Sequence, residues 1–171
     1  TELIPHSFQM RCKDTVIFRK KRKTKNKGVW VKTSILGYYA KKRQTTAVDR
    51  SIRIIENELQ IKDTDRAIVY VDENQELTFE LSGLIANKLL SQYNRPVILL
   101  RNFVNGDVHE LRGSVRGKPV DGLDNLKDVM AGITGVERAE GHAFAFGLGI
   151  NDELVSEFKV HLNDALSRVD F

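Results

Sequence analysis

The sequence predicts an α/β fold, a mixed β-sheet with packed helices, preceded by a basic β-hairpin and a long connector helix. Three observations carry this reading. Over residues 64–171, short apolar runs of strand character alternate with amphipathic segments of helical period. Residues 34–63 carry a single helical pattern, and residues 1–33 hold two β-rich runs around a cationic tip. The expected division is a basic arm over 1–33, a connector helix over 34–63 and an α/β domain over 64–171.

The arm comes first in the chain. "DTVIFRKKRKTKNKGVWVKT" places Val16, Ile17 and Phe18 before the tip and Val29, Trp30 and Val31 after it, with Asn26-Lys27-Gly28 as the turn. From Ser34 the period changes: Ile35, Leu36, Tyr39, Ala47, Ile52, Ile55 and Leu59 recur at helical spacing, with an interruption possible near Gln44-Thr45-Thr46. "KDTD" at 62–65 ends that helix. "RAIVYVD" (66–72) is a buried strand, "ELTFELSGLIANKLLSQYN" (76–94) an amphipathic helix and "RPVILLRNF" (95–103) a second strand, a spacing suited to a right-handed parallel crossover. Asn105-Gly106-Asp107 turns the chain into a third strand, "VHELRGSVRG" (108–117). "DGLDNLKDVMAGI" (121–133) is a helix opened by an acidic cap. "HAFAFGLGI" (142–150) alternates as a fourth strand. "NDELVSEFKVHLNDALSRV" (151–169) is a closing helix capped by Asn151 or Asp152.

Bulk composition excludes several classes. A chain of 171 residues makes one domain, or one domain with an appendage, and buries roughly two-thirds of its unfolded surface without covalent staples. A single cysteine, Cys12, allows no intrachain disulfide and no Cys-based metal cluster, and fits a reducing, cytoplasmic setting. Apolar runs such as "PVILL" (96–100) are far too short to span a bilayer, so no membrane partner is expected. No signal-peptide pattern opens the chain, and a first residue of Thr1 reads as a piece of something longer.

Charge is unevenly spread. Residues 1–50 hold 14 Lys and Arg against 3 Asp and Glu, and the remainder 13 against 20, which together give the net +4. Arg19, Lys20, Lys21, Arg22, Lys23, Lys25 and Lys27 crowd into nine positions. They could track phosphates, with Trp30, Phe18 and Tyr38 or Tyr39 stacking on bases. Trp30 and Phe18 could equally be packing within the hairpin.

Two further segments combine glycine with ionisable groups at strand ends: "RGSVRG" (112–117) and "EGHAFAFG" (140–147). In one sheet their ends could meet. Glycine lets backbone approach a ligand, Arg offers a fork matched to phosphate oxygens, and Ser and His add hydrogen-bonding groups. The alternative is architectural: Gly113 and Gly117 mark a bulge, Arg116 is a solvated face and His142 is a packed structural histidine.

In order and spacing, "RAIVYVDENQELTFELSGLIANKLLSQYNRPVILLR", "GSVRG" and "EGHAFAFGLGI" resemble the C-terminal DHH-associated domain of DHH-family phosphoesterases, closest to the RecJ-like single-stranded-DNA-specific exonucleases. The likeness covers about residues 64–165. It implies a pocket for the substrate's terminal phosphate at Gly113, Ser114 and Arg116, and a cleft-facing segment at Gly141 and His142. Glu140 departs from the pattern, since relatives usually have Gly there. The long helix would be the connector to the family's metal-binding domain.

The resemblance also implies what lies elsewhere. The family's catalytic half holds Mn2+ or Mg2+ on Asp-rich motifs and an Asp-His-His triplet. No "DHH" occurs here, and His6, His109, His142 and His161 are scattered. No catalytic residue and no metal ligand is therefore expected in this chain, with His142 only bordering the cleft. The implied function is the substrate-binding portion of a RecJ-like metal-dependent exonuclease acting in bacterial or phage DNA repair and recombination. Its partners would be single-stranded nucleic acid, DNA above RNA, and its own N-terminal catalytic DHH domain. Two other readings stand beside it: part of a nanoRNA or cyclic-dinucleotide phosphoesterase, or a non-enzymatic nucleic-acid-binding module.

Overall fold

The computed structural model of the chain describes residues 27–105 and 108–171. The chain divides into two units, Thr1–Ala40 and Lys41–Phe171. Helix α1 (Lys27–Glu58) runs for 32 residues. Within the first unit, Ile35, Tyr38 and Tyr39 on this helix are exposed, and the two tyrosine rings meet edge to face at 5.6 Å. Val29–Val31, expected as the second strand of a hairpin, are therefore helical. Their β-propensity is a weak preference, and extending an existing helix costs less than nucleating one. The expected first strand and the tip, residues 16–26, lie outside the described residues.

The helix does not break at Gln44-Thr45-Thr46. Thr45 and Thr46 donate their hydroxyls to the carbonyls of Lys41 and Lys42, both at 3.0 Å, which satisfies the side chains without leaving helical geometry. It stops at Glu58, and the following turn is held by Lys62 N–H donating to the Asp65 carboxylate at 2.9 Å.

The remaining elements are β1 (Ile68–Asp72), α2 (Ser82–Tyr93) after a 3₁₀ turn at Phe79–Leu81, β2 (Val97–Asn105), β3 (Val108–Arg116), α3 (Leu126–Ala131), β4 (Val136–His142), β5 (Ala145–Asn151) and α4 (Val155–Ala165) after a 3₁₀ turn at Asp152–Leu154. The strands form one mixed sheet in the order β1-β2-β3-β5-β4, with β1 parallel to β2 and every other pair antiparallel. An α/β architecture with a mixed sheet is thus borne out. β2 and β3 pair antiparallel up to Asn105 opposite Val108, while residues 106–107, where the turn was expected, lie outside the described residues.

Two elements differ from expectation. The helix expected over 121–133 is only Leu126–Ala131, because its cap is Asn125, whose side chain accepts from Asp128 N–H at 3.3 Å. A whole strand, β4, is added: "VERAEGH" is an edge strand whose side chains are mostly exposed, so its apolar alternation is faint. At the far end the expected cap holds, as Asn151 accepts from Glu153 N–H at 3.0 Å.

Each face of the sheet packs its own core. On one, Ile68, Tyr70, Val97 and Leu99 meet Val48, Ile52 and Ile55 of α1 and Ile85 and Leu89 of α2. On the other, Ile98, Leu100, Leu111, Val115, Phe146, Leu148 and Ile150 meet Leu126 and Met130 of α3 and Phe158 and Leu162 of α4. β1 and β2 are covered on both sides, which is why they read as near-continuous apolar runs.

Two tyrosines tie α1 to its neighbours. Tyr70 on β1 donates to Glu58 at 2.6 Å, and Tyr93 on α2 donates to Glu56 at 2.8 Å. Burial, then the Glu58 carboxylate, pushes the Tyr70 phenol far above its ordinary range, and burial, then Glu56, raises Tyr93. The fold favours the neutral phenol, so the stabilisation is complete below about pH 10, the usual phenol pKa, and is lost as pH climbs towards the raised folded value. Tyr70→Phe should lose about 1 kcal/mol at neutral pH through the missing hydrogen bond. It should also flatten the alkaline fall in stability, read by urea unfolding across that range.

Candidate nucleic-acid interface

The two glycine-containing segments do come together. β5 lies between β3 and β4, so Arg116, Ala145 and His142 form one row across the sheet. Ser114, Gly147 and Glu140 form the next, and Arg112, Gly149 and Arg138 the one after. The β4–β5 turn is pinned to the residue after β3 and to α3: Gly117 N–H donates to the Phe144 carbonyl at 2.8 Å, and Lys127 N–H to that of Ala143 at 3.0 Å.

Cross-strand partners share a face, so these rows define a surface. β5 presents only Ala145, Gly147 and Gly149 to it, and its large side chains, Phe146, Leu148 and Ile150, go to the opposite core. The result is a shallow trough floored by β5 and walled by the side chains of β3 and β4. With strands ~4.8 Å apart, the backbones of β3 and β4 that carry its walls stand about 10 Å from each other.

Ser114 and Arg116 sit where this trough meets the start of α2. The Ser114 and Ser82 hydroxyls are hydrogen-bonded at 2.9 Å, and Ser82 is buried. The Arg116 guanidinium donates to the Val115 carbonyl at 2.7 Å and lies against Gly83, where a Cβ would come within 2.5 Å of Nη2. Among the described residues no carboxylate pairs with Arg116, whereas Arg112 pairs with Glu110 and Arg138 with Glu140. Helix α2 has no side-chain cap; it continues directly from the 3₁₀ turn Phe79–Leu81, which carries Glu80 and whose Phe79 carbonyl accepts from Ser82 N–H. A guanidinium and two hydroxyls converge on a place suited to an anion.

The other expected residues have structural explanations as well as positions. Gly113 is in regular register, not at a bulge; a Cβ there would collide with the Leu99 carbonyl oxygen. The irregularity lies instead in β4, between Val136 and Arg138. Gly141 has φ +135°, and a Cβ would come within 2.9 Å of the Ala145 carbonyl oxygen, so glycine is required there on conformational grounds alone. His142 is exposed at the end of β4, which removes the packed-core alternative. Glu140, where a glycine was expected, is largely exposed and lies 3.6 Å from Arg138. Lys27 and Trp30 open α1, while Arg19, Lys20, Lys21, Arg22, Lys23 and Lys25 lie outside the described residues.

Ser82 and Gly83 were not singled out in the sequence. The signal was present in "LSGL", a hydroxyl and a glycine at the first positions of a helix, but only the fold brings them to β3. Among the described residues no group of three or more His, Cys, Asp or Glu side chains is placed to hold a metal ion, and no helix is long and apolar enough to cross a membrane.

Comparison with known proteins gives a consistent relationship. No family model matches the chain. It is 30% identical, over 141 residues and 77% of its length, to YorK of Bacillus subtilis (strain 168), a protein named as an SPbeta prophage-derived single-strand DNA-specific exonuclease, and equally to the counterpart in Bacillus phage SPbeta. Its fold is similar to RecJ of Thermus thermophilus, in complex with Mg2+ (TM-score 0.51) and with Mn2+ (TM-score 0.50), at 23% identity over 74% of this chain. The chain is RecJ-like. This bears out the likeness to the RecJ-like branch of the DHH family read from the sequence.

The RecJ-like region is larger than residues 64–165. Residues 64–171 are 108 of 171, less than the 77% and 74% that match, so the similarity reaches upstream of Thr64. The chain spans about a quarter of the length of the curated relatives it matches, 24%, and 18% of the Mg2+-bound RecJ chain.

The trough makes contrasting predictions for its glycines. Gly113→Ala should destabilise by about 3 kcal/mol through overpacking against backbone. Gly147→Val should stay within about 1 kcal/mol of the parent, since a Cβ at Gly147 meets nothing closer than 3.8 Å and β-branched residues suit strands. Urea unfolding of the two variants compares them directly.

Proposed function

We propose that this chain is the substrate-gripping part of a RecJ-like, metal-dependent single-stranded-DNA exonuclease, corresponding to the family's C-terminal DHH-associated domain. The observation that carries the reading is the convergence of Arg116, free of carboxylates among the described residues, with Ser114, Ser82 and the start of α2 at the head of a glycine-floored trough. The naming of YorK as a single-strand DNA-specific exonuclease supports the substrate class.

In this mechanism Arg116 and Ser114 hold the terminal phosphate, with Gly113 keeping β3 close to β2 so that both face the trough. The strand lies along Ala145 and Gly147, and exposed His142 borders the scissile region. The basic stretch from Arg19 to Lys27 holds the strand by its phosphates. Mn2+ or Mg2+, as in the two RecJ structures, would be held by the protein's N-terminal DHH domain and would supply an activated water. In this reading the described residues bind and orient the strand. Cytoplasmic work in repair or recombination follows from this assignment.

Two measurements test it. Arg116→Ala should weaken binding of 5′-phosphorylated single-stranded DNA by about tenfold or more, the size of a charge-assisted hydrogen bond, and of the unphosphorylated strand much less. Equal losses in a fluorescence titration would remove the phosphate assignment. Affinity should also fall steeply with salt, and neutralising Lys20, Lys21, Lys23 and Lys25 should lower the slope of log K against log salt by roughly 3. An unchanged slope would show that the arm does not touch the strand.

A further inference from the structure

Beyond the head of the trough, the sheet carries a second set of charges that the terminal-phosphate assignment does not use. Arg101, Arg112 and Arg138 occupy one row across β2, β3 and β4, with Gly149 of β5 between the last two. The Arg101 guanidinium lies 4.2 Å over the Phe79 ring, and that of Arg112 lies 3.6 Å over Phe103. Arg112 is further held by the buried Glu110 carboxylate, which lies over Gly149 and neutralises it there, whereas Arg138 is half-exposed and lies beside exposed Glu140.

These arginines differ from solvated surface cations. Two are backed by phenyl rings and partly buried, so their planes are fixed before any ligand arrives, and a fixed guanidinium plane is a surface on which a nucleobase stacks. Arg138 stands across the trough from them, and its pairing with Glu140 is an exposed contact of little cost to exchange for a phosphate. The row lies four residues along β3 from Arg116, about 13 Å at ~3.3 Å per residue. The floor between them carries nothing larger than the Ala145 methyl.

We propose that this row is a second nucleotide subsite, which takes the base and phosphate of an internal nucleotide of the strand whose terminal phosphate sits at Arg116. It rests on that phosphate reading, and it makes affinity grow with strand length: a dinucleotide held at Arg116 ends short of the row, and a longer strand reaches it. The RecJ-like chain would thereby select strands over dinucleotide-sized substrates within its folded domain, without help from the basic arm.

The test measures binding of 5′-phosphorylated oligothymidylates of two to eight nucleotides to the full chain and to two variants. Arg138→Gln alters a half-exposed residue on an edge strand, and Arg168→Gln removes an equal charge from the exposed tail after α4. Arg138→Gln should leave dinucleotide binding unchanged and cut the gain on lengthening by about fivefold, the upper range for an exposed ion contact. Arg168→Gln should leave the gain intact. The subsite is overturned if the unaltered chain shows no gain with length, if Arg138→Gln lowers all lengths alike or none, or if Arg168→Gln has the same effect. Loss of 5′-phosphate preference with an intact, Arg138-dependent length gain would instead overturn the terminal-phosphate reading and uphold the second contact.

Discussion

The register of β3 between β2 and β5 decides what the site contains. Val115 pairs with Ile98 and Phe146 and points into the core under α3 and α4, so Ser114 and Arg116 on either side of it must point into the trough. A slip of one residue would carry both polar groups into that core and expose Val115. Burying side chains such as Leu111 and Val115 contributes up to about 2 kcal/mol each, so the slipped state is strongly disfavoured. Gly113 adds a steric lock, since only a hydrogen fits against the Leu99 carbonyl oxygen. Bringing Ser114 and Arg116 together at the head of the trough therefore requires no dedicated loop. It follows from the pattern that packs the sheet.

β5 shows the same economy from the other side. Its three large residues, Phe146, Leu148 and Ile150, anchor one core, and its three small ones, Ala145, Gly147 and Gly149, add little bulk to the opposite face, where Arg138 and the Glu110 carboxylate close over Gly149. Helices α1 and α2 cover β1 and β2, and α2 reaches as far as β3, where Ser82 meets Ser114. The uncovered half of the face is the part where β5 has no side chain to offer a helix. A strand with six bulky residues would have needed a further layer of structure, and the trough would have been its interior.

Much of this was legible in the chain, and the failures have physical causes. β1, α2, β2 and β3 were visible because each is apolar enough on a regular period to exceed the background. β4 was not: Glu137, Arg138, Glu140 and His142 are exposed on an edge, and only Val136 and Ala139 touch the core. The helix at 121–133 was overestimated because Asp121 resembles a cap, whereas Asn125 makes the capping hydrogen bond. Val29, Trp30 and Val31 misled through local β-propensity, which cannot register that the helix beginning at Lys27 passes through them. For the site, Ser114, Arg116 and His142 were recognisable as types in a pattern. Ser82 and Gly83 were not, because their relevance depends on a contact across 32 residues of sequence.

The choice of arginine at position 116 follows from the electrostatics of its surroundings. A cation beside the start of a helix meets the positive end of the macrodipole, so the Arg116 guanidinium against Gly83 gains nothing from α2 itself. Among the described residues it donates only to the Val115 carbonyl, which leaves further guanidinium N–H groups for solvent or a ligand. An anion placed between the two positive poles reverses the balance, because both the helix start and the fork then act on it together. A lysine would offer a point charge without the planar pair of donors, and its more strongly hydrated ammonium would cost more to desolvate against Ser82 and Ser114. An arginine at this place is therefore matched to an anion by geometry as well as by charge.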